Sequence, residues 1–179
     1  MNRRTAIRNV VIISAGAAFL PSCMQDEKKS SLALKHLSIS QSDEEMLAAL
    51  SEAILPKTNS FIGSSDLKAH EFVLTMVDDC TSPEDQQKFA SGLKGFDKLS
   101  HEKSGQIFKS FTPEQKKELL TAIESKKDIP EDVLAFYGMT KRYTLQCFTS
   151  SKEYMTGIRN YKMVPGNDFK GCIPVEKTA

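Results

Sequence analysis

The stretch Ser82-Pro-Glu-Asp-Gln-Gln-Lys-Phe-Ala-Ser-Gly-Leu-Lys-Gly-Phe-Asp-Lys-Leu99 decides the fold class of this chain. Serine followed by proline is a typical helix start, because the serine side chain caps a free backbone N–H and proline fits the first helical turn. Apolar residues then recur every three to four positions, at Phe89, Leu93, Phe96 and Leu99. This spacing predicts an amphipathic helix with one buried face.

Similar start signals and apolar spacings recur on both sides of this stretch. Ser42-Asp-Glu-Glu45 reads as a capping box, and Pro56 ends the helix that follows it. The predicted helices begin near Ser42, Ser65, Ser82, Thr112, Pro130 and Ser150, and the last one ends near Ile158. No alternating strand pattern of useful length is present. We therefore predict an all-α fold, a single compact bundle of about five to six helices.

The apolar side of each predicted helix supplies the candidate core. It comprises Met46, Leu47, Leu50, Ala53 and Ile54; Ala69, Phe72, Val73, Met76 and Val77; Phe89, Leu93, Phe96 and Leu99; Leu119, Leu120 and Ile123; and Val133, Leu134, Tyr137, Leu145, Cys147 and Phe148.

Composition limits the classes of protein to which the chain can belong. Its 179 residues suffice for one domain with one hydrophobic core. The 24 Lys and Arg residues nearly balance the 23 Asp and Glu residues, for a net charge of +1. Nucleic-acid binders carry a strong basic excess, so we predict no nucleic-acid partner.

Residues 1–22 have the layout of an export signal. Arg3, Arg4 and Arg8 precede an apolar segment from Val10 to Leu20, which is too short to span a bilayer as a helix. The paired Arg3-Arg4 resembles a twin-arginine signal, which exports proteins already folded. We expect a chain that is exported to the periplasmic side of a bacterial membrane.

The segment Leu20-Pro-Ser-Cys23 resembles a lipobox, whose cysteine receives the lipid anchor of a bacterial lipoprotein. Cys23 is therefore the predicted lipidation site, and a plain secretory signal with an incidental cysteine is the alternative. Residues 23–40 are mostly polar and are predicted to be a tether. The helical domain is predicted over residues 41–179, with an irregular tail at 159–179.

The remaining cysteines and the histidines indicate one candidate disulfide and no metal site. Three cysteines cannot all pair within the chain, and we take Cys80 and Cys172 as the candidate disulfide, although which cysteines pair stays open. Cys147 is assigned to core packing. The histidines His36, His70 and His101 lack the spacing of a metal site and are read as surface or tether residues.

No catalytic, cofactor-binding or metal-binding residue is predicted. The chain lacks the glycine-rich phosphate and dinucleotide motifs and the serine hydrolase motif. Asp78-Asp79 is a carboxylate pair, but adjacent helical residues point to different sides, so we interpret it as a surface pair at a helix end.

The tail is irregular and yet apolar, so its side chains must be buried against something. It either wraps its own helical body or docks a partner. The candidate docking residues are Tyr161, Met163, Val164, Pro165, Phe169 and Ile173. The apolar groups from Ile54 to Ile62 are candidates for the same surface.

Four stretches together resemble the small third subunit (gamma) of gluconate 2-dehydrogenase and related membrane-bound sugar dehydrogenases. They are the start Asn2-Arg-Arg-Thr5; the helix exit Leu50-Ser-Glu-Ala-Ile-Leu-Pro-Lys-Thr58; the segment His70-Glu-Phe-Val-Leu-Thr-Met-Val-Asp-Asp-Cys80; and the ending Cys147-Phe-Thr-Ser-Ser with Tyr161-Lys-Met-Val-Pro-Gly-Asn-Asp-Phe-Lys-Gly-Cys-Ile-Pro174. The family's usual Thr-Asp-Thr-Pro-Gly is replaced here by Thr58-Asn-Ser-Phe-Ile-Gly63.

The resemblance implies a non-catalytic accessory subunit that holds no cofactor of its own. Its partner would be a large FAD-dependent subunit of the glucose-methanol-choline oxidoreductase type, with a cytochrome c subunit passing electrons onward. The small subunit would aid maturation of the flavoprotein and carry its export signal. The alternatives are a stand-alone helical lipoprotein that binds a small molecule or an envelope component, and an enzyme whose site the sequence does not reveal.

Overall fold

A computed structural model of the protein describes residues 29–162. This part of the chain is all-α, as predicted, and contains no β-strand beyond one isolated bridge between Lys29 and Ser40. Five α-helices form the body, together with a 3₁₀ turn at Phe108–Ser110 and a π-helical turn at Tyr154–Ile158. The helices are α1 (Gln41–Ile54), α2 (Ala69–Cys80), α3 (Pro83–Ser104), α4 (Pro113–Glu124) and α5 (Glu131–Thr149).

Helices α3 and α4 begin where the sequence predicts. The Ser82 and Thr112 hydroxyls accept hydrogen bonds from the backbone N–H groups of Asp85 (3.2 Å) and Gln115 (3.3 Å). A proline follows each cap in the first helical position, where its missing N–H breaks no bond. Helix α3 ends at Gly105, whose φ of 69° suits a residue without a Cβ.

Two other helix starts differ from the prediction. Helix α1 is capped by Ser40 and not by Ser42: the Ser40 hydroxyl accepts from Asp43 N–H (3.2 Å), and Asp43 accepts from Ser40 N–H (3.0 Å). Helix α2 begins at Ala69, four residues after Ser65, because Glu52 accepts from the Ser64 hydroxyl (2.9 Å) and the Ser65 N–H (3.1 Å) and holds that segment as a turn.

The core is a continuous cluster around phenylalanine rings. The Phe96 ring lies 5.0 Å from Phe108 and 5.6 Å from Phe136, and Phe89 lies 5.0 Å from Phe136, measured between ring centroids. Most of the predicted core is buried as expected: Met46, Leu47, Leu50, Ala69, Val73, Val77, Phe89, Leu93, Phe96, Leu119, Ile123, Val133 and Tyr137.

The prediction is wrong at the end of α5. The helical spacing places Leu145 in the core, but 40% of its surface is exposed, and Cys147 and Phe148 are only half-buried. Tyr143 and Thr144 face inward in their place. The last turns of α5 therefore pack inside the bundle through Tyr143 and Thr144, and Leu145 lies exposed at their surface.

Residues 29–40 do not behave as the predicted tether. They form a strap, called here the N-terminal strap, that lies against α1 and α2, with Leu37 and Ile39 buried in the core cluster. Burial of these two side chains moves the start of the packed domain upstream of the predicted boundary near Ser40.

Candidate functional site

Apolar side chains gather at the surface where the loop after α1 meets the end of α5. A groove of about 320 Å³ is lined there by Phe61, Ile62, Phe148, Tyr154 and Ile158, a set called here the C-terminal patch. Phe61 and Ile158 keep 51% and 44% of their surface exposed. Exposed apolar side chains clustered in this way are a candidate interaction surface.

The loop that carries Phe61 is held in one conformation by its own hydrogen bonds. Phe61 N–H donates to the Thr58 hydroxyl (3.0 Å), and Thr58 N–H donates to the Phe61 carbonyl (3.0 Å). Gly63 allows the chain to close on itself, since a Cβ at this position would lie 2.6 Å from the backbone nitrogen of Lys57. Phe61 is therefore presented to solvent by a fixed turn.

An ion pair closes the same loop. The Lys57 ammonium lies 2.9 Å from a carboxylate oxygen of Asp66, whose other oxygen accepts from Gly63 N–H (3.0 Å). The bond from Lys57, aided by the one from Gly63, holds the pKa of Asp66 below its ordinary value. Asp66 is therefore ionised at neutral pH, where its carboxylate can pair with the Lys57 ammonium.

The other side of the patch comes from the π-helical turn. The rings of Phe148 and Tyr154 meet edge to face at 5.2 Å, and the Ser151 hydroxyl accepts from Tyr154 N–H (3.2 Å). The predicted sixth helix is thus present in part, as this turn. Tyr161 N–H donates to the Met155 carbonyl (2.8 Å), which places the exposed Tyr161 directly after the turn.

The predicted docking surface from Ile54 to Ile62 divides into two parts. Ile54 does not line the C-terminal patch. It lines a second groove of about 540 Å³ with Pro56, Leu120 and Tyr137. In that groove the Tyr137 hydroxyl donates to Glu124 (2.6 Å), and burial together with this bond raises the pKa of the Tyr137 hydroxyl. Tyr137 is thereby kept neutral and acts as a structural donor.

Several predicted site residues lie outside the described part of the chain. These are Arg3, Arg4, Cys23, Met163, Val164, Pro165, Phe169, Cys172 and Ile173. Cys80 is exposed at the end of α2, so its pairing with Cys172 stays a prediction. Burial raises the pKa of the half-buried Cys147 thiol, which keeps it protonated.

Two buried carboxylates are not among the residues that the sequence pattern indicates. Asp78 and Glu44 are both more than nine-tenths buried, although the Asp78-Asp79 pair was interpreted as a surface pair. That interpretation is wrong for Asp78. A usable signal existed, because Asp78 follows Leu74 by four residues and Glu44 precedes Leu47 by three, which places both carboxylates on inward helix faces.

Residues 29–162 were compared with the requirements of a metal site and of a membrane span. No group of three or more His, Cys, Asp or Glu side chains is arranged there to hold a metal ion. None of the helices in this range combines the length and apolar character that a membrane span requires.

Comparison with known families decides the relationship of the chain. The family model described as gluconate 2-dehydrogenase subunit 3 matches residues 41–166. The chain belongs to this family. Gluconate 2-dehydrogenase subunit 3 is an accessory subunit of a dehydrogenase complex, so family membership implies a partner dehydrogenase. No curated protein and no solved structure shows significant similarity to the chain.

The family match covers the C-terminal patch but not the N-terminal strap. The match begins at Gln41, the first residue of α1, and includes every residue of the C-terminal patch. It leaves out the N-terminal strap. The patch therefore lies in the part of this subunit 3 chain that the family shares, and the strap lies outside it.

Proposed function

We propose that this subunit 3 chain is a non-catalytic accessory subunit that binds a large FAD-dependent dehydrogenase subunit of the glucose-methanol-choline oxidoreductase type. The chain would aid maturation of the flavoprotein and accompany it during export. FAD would be bound by the partner, and a cytochrome c subunit would accept its electrons. Family membership over residues 41–166 is the observation that carries this proposal.

The C-terminal patch is the proposed docking surface, together with Tyr161 and the tail residues Met163, Val164, Pro165, Phe169 and Ile173. Aromatic side chains that stay rigid and exposed are the usual anchors of protein interfaces, since they bury a large area and lose little conformational freedom. Phe61 meets these conditions, because its turn is closed by Thr58 and it is half exposed.

The proposed location is the periplasmic face of a bacterial membrane. The twin-arginine pair Arg3-Arg4 supports export in the folded state, which suits a subunit that travels with a cofactor-loaded partner. Cys23 would then carry the lipid anchor.

The experiment is a native pull-down of the tagged chain from detergent-solubilised membranes, read by the absorbance spectrum of the eluate. We expect the bound flavin spectrum of a large partner subunit. Recovery of the single chain without flavin would overturn the proposal and favour the stand-alone lipoprotein.

Two matched variants locate the docking surface. Phe61→Ser is expected to lower the flavin recovered per chain by about tenfold, as loss of an interface anchor does. Ile107→Ser is the control, since Ile107 is similarly exposed at 48% but lies by the first turns of α1, outside the patch. Equal recovery of flavin with both variants would show that the patch is not part of the interface.

A further inference from the structure

The N-terminal strap is fastened to the body at its very beginning. Glu44 in the first turns of α1 accepts from the Ser30 hydroxyl (2.9 Å), the Ser31 N–H (2.7 Å) and the Ser31 hydroxyl (2.5 Å). Ser30 N–H also donates to the Ile39 carbonyl (3.1 Å). The chain therefore joins the body at about residue 29 and not at Ser40.

The middle of the strap is fastened to a second helix. The Asp78 carboxylate, at the end of α2, accepts hydrogen bonds from the backbone N–H groups of Lys35, His36 and Leu37, each at 2.8 Å. Leu37 and Ile39 add apolar burial beside it. Because the strap is held at two separate helices, it cannot swing away from the body without breaking a buried network.

The fastened strap shortens the stretch of chain between the body and Cys23. Only residues 24–28 lie between Cys23 and Lys29, and six extended residues reach at most about 20–22 Å. A tether that continued to Ser40 would reach about 56–61 Å over its seventeen residues. A domain of this size has a radius of gyration of about 14 Å, which for a sphere corresponds to a diameter of about 36 Å. The long tether could reach across that width and would allow every orientation, whereas the short link could not.

We infer that the face formed by the N-terminal strap and the first turn of α1 lies toward the bilayer surface in the lipidated protein. This inference rests on the lipid anchor at Cys23 in the proposed function. Helix α1 rises about 20 Å from Gln41 to Ile54. The loop that carries Phe61 follows the C-terminal end of α1, which is the end far from the strap. The C-terminal patch is therefore turned away from the membrane and open to the periplasmic partner.

The test measures energy transfer from two matched positions to the membrane. A fluorescent amino acid replaces Ser38 in the strap or Ser60 beside the patch, both of them exposed serines. The full-length lipidated chain is reconstituted into phospholipid vesicles whose headgroups carry an energy acceptor. We expect a greater loss of donor fluorescence at position 38 than at position 60.

A linker variant supplies the control without altering the body. An insertion of about fifteen Gly and Ser residues between Lys28 and Lys29 restores a long flexible tether. We expect it to remove the difference between the two positions while the chain stays bound to the vesicles.

The possible failures are distinguishable. Equal loss at both positions in the chain without the insertion would overturn the inferred orientation and leave the lipid anchor standing. A chain that does not bind vesicles at all would overturn both the orientation and the anchor. The flavin pull-down tests partner binding separately from either result.

Discussion

Ser40 and Ser42 are competing caps for the same helix, and each is followed three residues later by an acid. The sequence favours Ser42, because Glu45 completes the usual capping box. In the structure the Glu45 carboxylate instead pairs with the Lys109 ammonium at 2.9 Å, and Asp43 completes the box with Ser40. Glu45 is thus engaged by a residue 64 positions away in the chain and does not complete a capping box with Ser42.

Substitution of the two serines tests this assignment. Ser40→Ala is expected to lower the free energy of unfolding by about 1 kcal/mol, the usual effect of losing an N-cap. Ser42→Ala is expected to change it by less than about 0.5 kcal/mol, as an exposed position does. Urea unfolding followed by circular dichroism measures both. A larger loss for Ser42→Ala would assign the cap to that residue.

At the scale of elements, the central contact of the bundle is the packing of α3 on α5. Gly92 of α3 lies directly against α5: a Cβ there would overlap the Asp132 carbonyl and stand 2.6 Å from the Phe136 Cβ. Glycine lowers helix propensity, so its presence inside a long helix is explained by this close approach and not by local preference.

Replacing each of two helical glycines with alanine separates the effect of helix packing on the free energy of unfolding from the effect of helix propensity. Gly92→Ala is expected to lower the free energy of unfolding by about 2–3 kcal/mol, because α3 and α5 must move apart. Gly138→Ala is the control: apart from the neighbouring backbone of its own helix, no atom lies within 4 Å of its Cβ position. Relief of the glycine penalty is expected to stabilise α5 by up to about 1 kcal/mol. Thermal and urea unfolding measure the loss of stability in one variant and the gain in the other. A stabilised Gly92→Ala protein would contradict the close approach of α3 and α5.

At the scale of the whole molecule, two neighbouring carboxylates have different functions. Asp78 is buried and joins the N-terminal strap to α2, whereas Asp79 pairs with Lys35 at 2.9 Å on the surface. Burial opposes ionisation of Asp78, but the three backbone N–H bonds outweigh it, so the pKa of Asp78 lies below its ordinary value. The same balance, with Ser30 and Ser31 as donors, lowers the pKa of Glu44.

The strap therefore stabilises the protein in a pH-dependent way. Because the folded pKa is below the unfolded one, the Asp78 contribution is fully present above about pH 5 and is lost as the pH falls below about 4. Asp78→Asn is expected to lower the free energy of unfolding at pH 7 by about 2–3 kcal/mol, since the amide keeps one acceptor oxygen but loses the charge and turns an NH2 donor toward one of the three backbone N–H groups. The deficit relative to the unaltered protein should shrink as the pH falls.

Asp79→Asn is the matched control for this measurement. It removes an exposed ion pair, so we expect a change within about 1 kcal/mol. Urea unfolding at a series of pH values compares the two variants. A deficit of Asp78→Asn that stays constant down to pH 3 would show that the carboxylate charge contributes nothing to fastening the strap.

The prediction from sequence succeeds where the signal is local and repeated. The caps at Ser82 and Thr112 and the spacing of Phe89, Leu93 and Phe96 follow from backbone hydrogen bonding and helical period, which neighbouring residues determine. It fails at Leu145 and at the predicted tether, because burial there depends on which distant element packs against the segment.

The candidate site shows the same division. The ordered motifs from Leu50 to Pro174 identify the family, and the match over residues 41–166 confirms it. Nothing in the residue pattern could place Phe61 beside Phe148 and Tyr154, because 87 positions separate the first two in the chain.

By itself, the sequence determined the all-α class, most helix boundaries and the subunit 3 family, because caps, helical periodicity and motif order are properties of neighbouring residues. Only the tertiary structure decided that residues 29–40 are a strap, that Asp78 and Glu44 are buried and that exposed aromatic groups form one patch. Each of these depends on contacts between segments far apart in the chain, whose free energy arises only when the helices pack together.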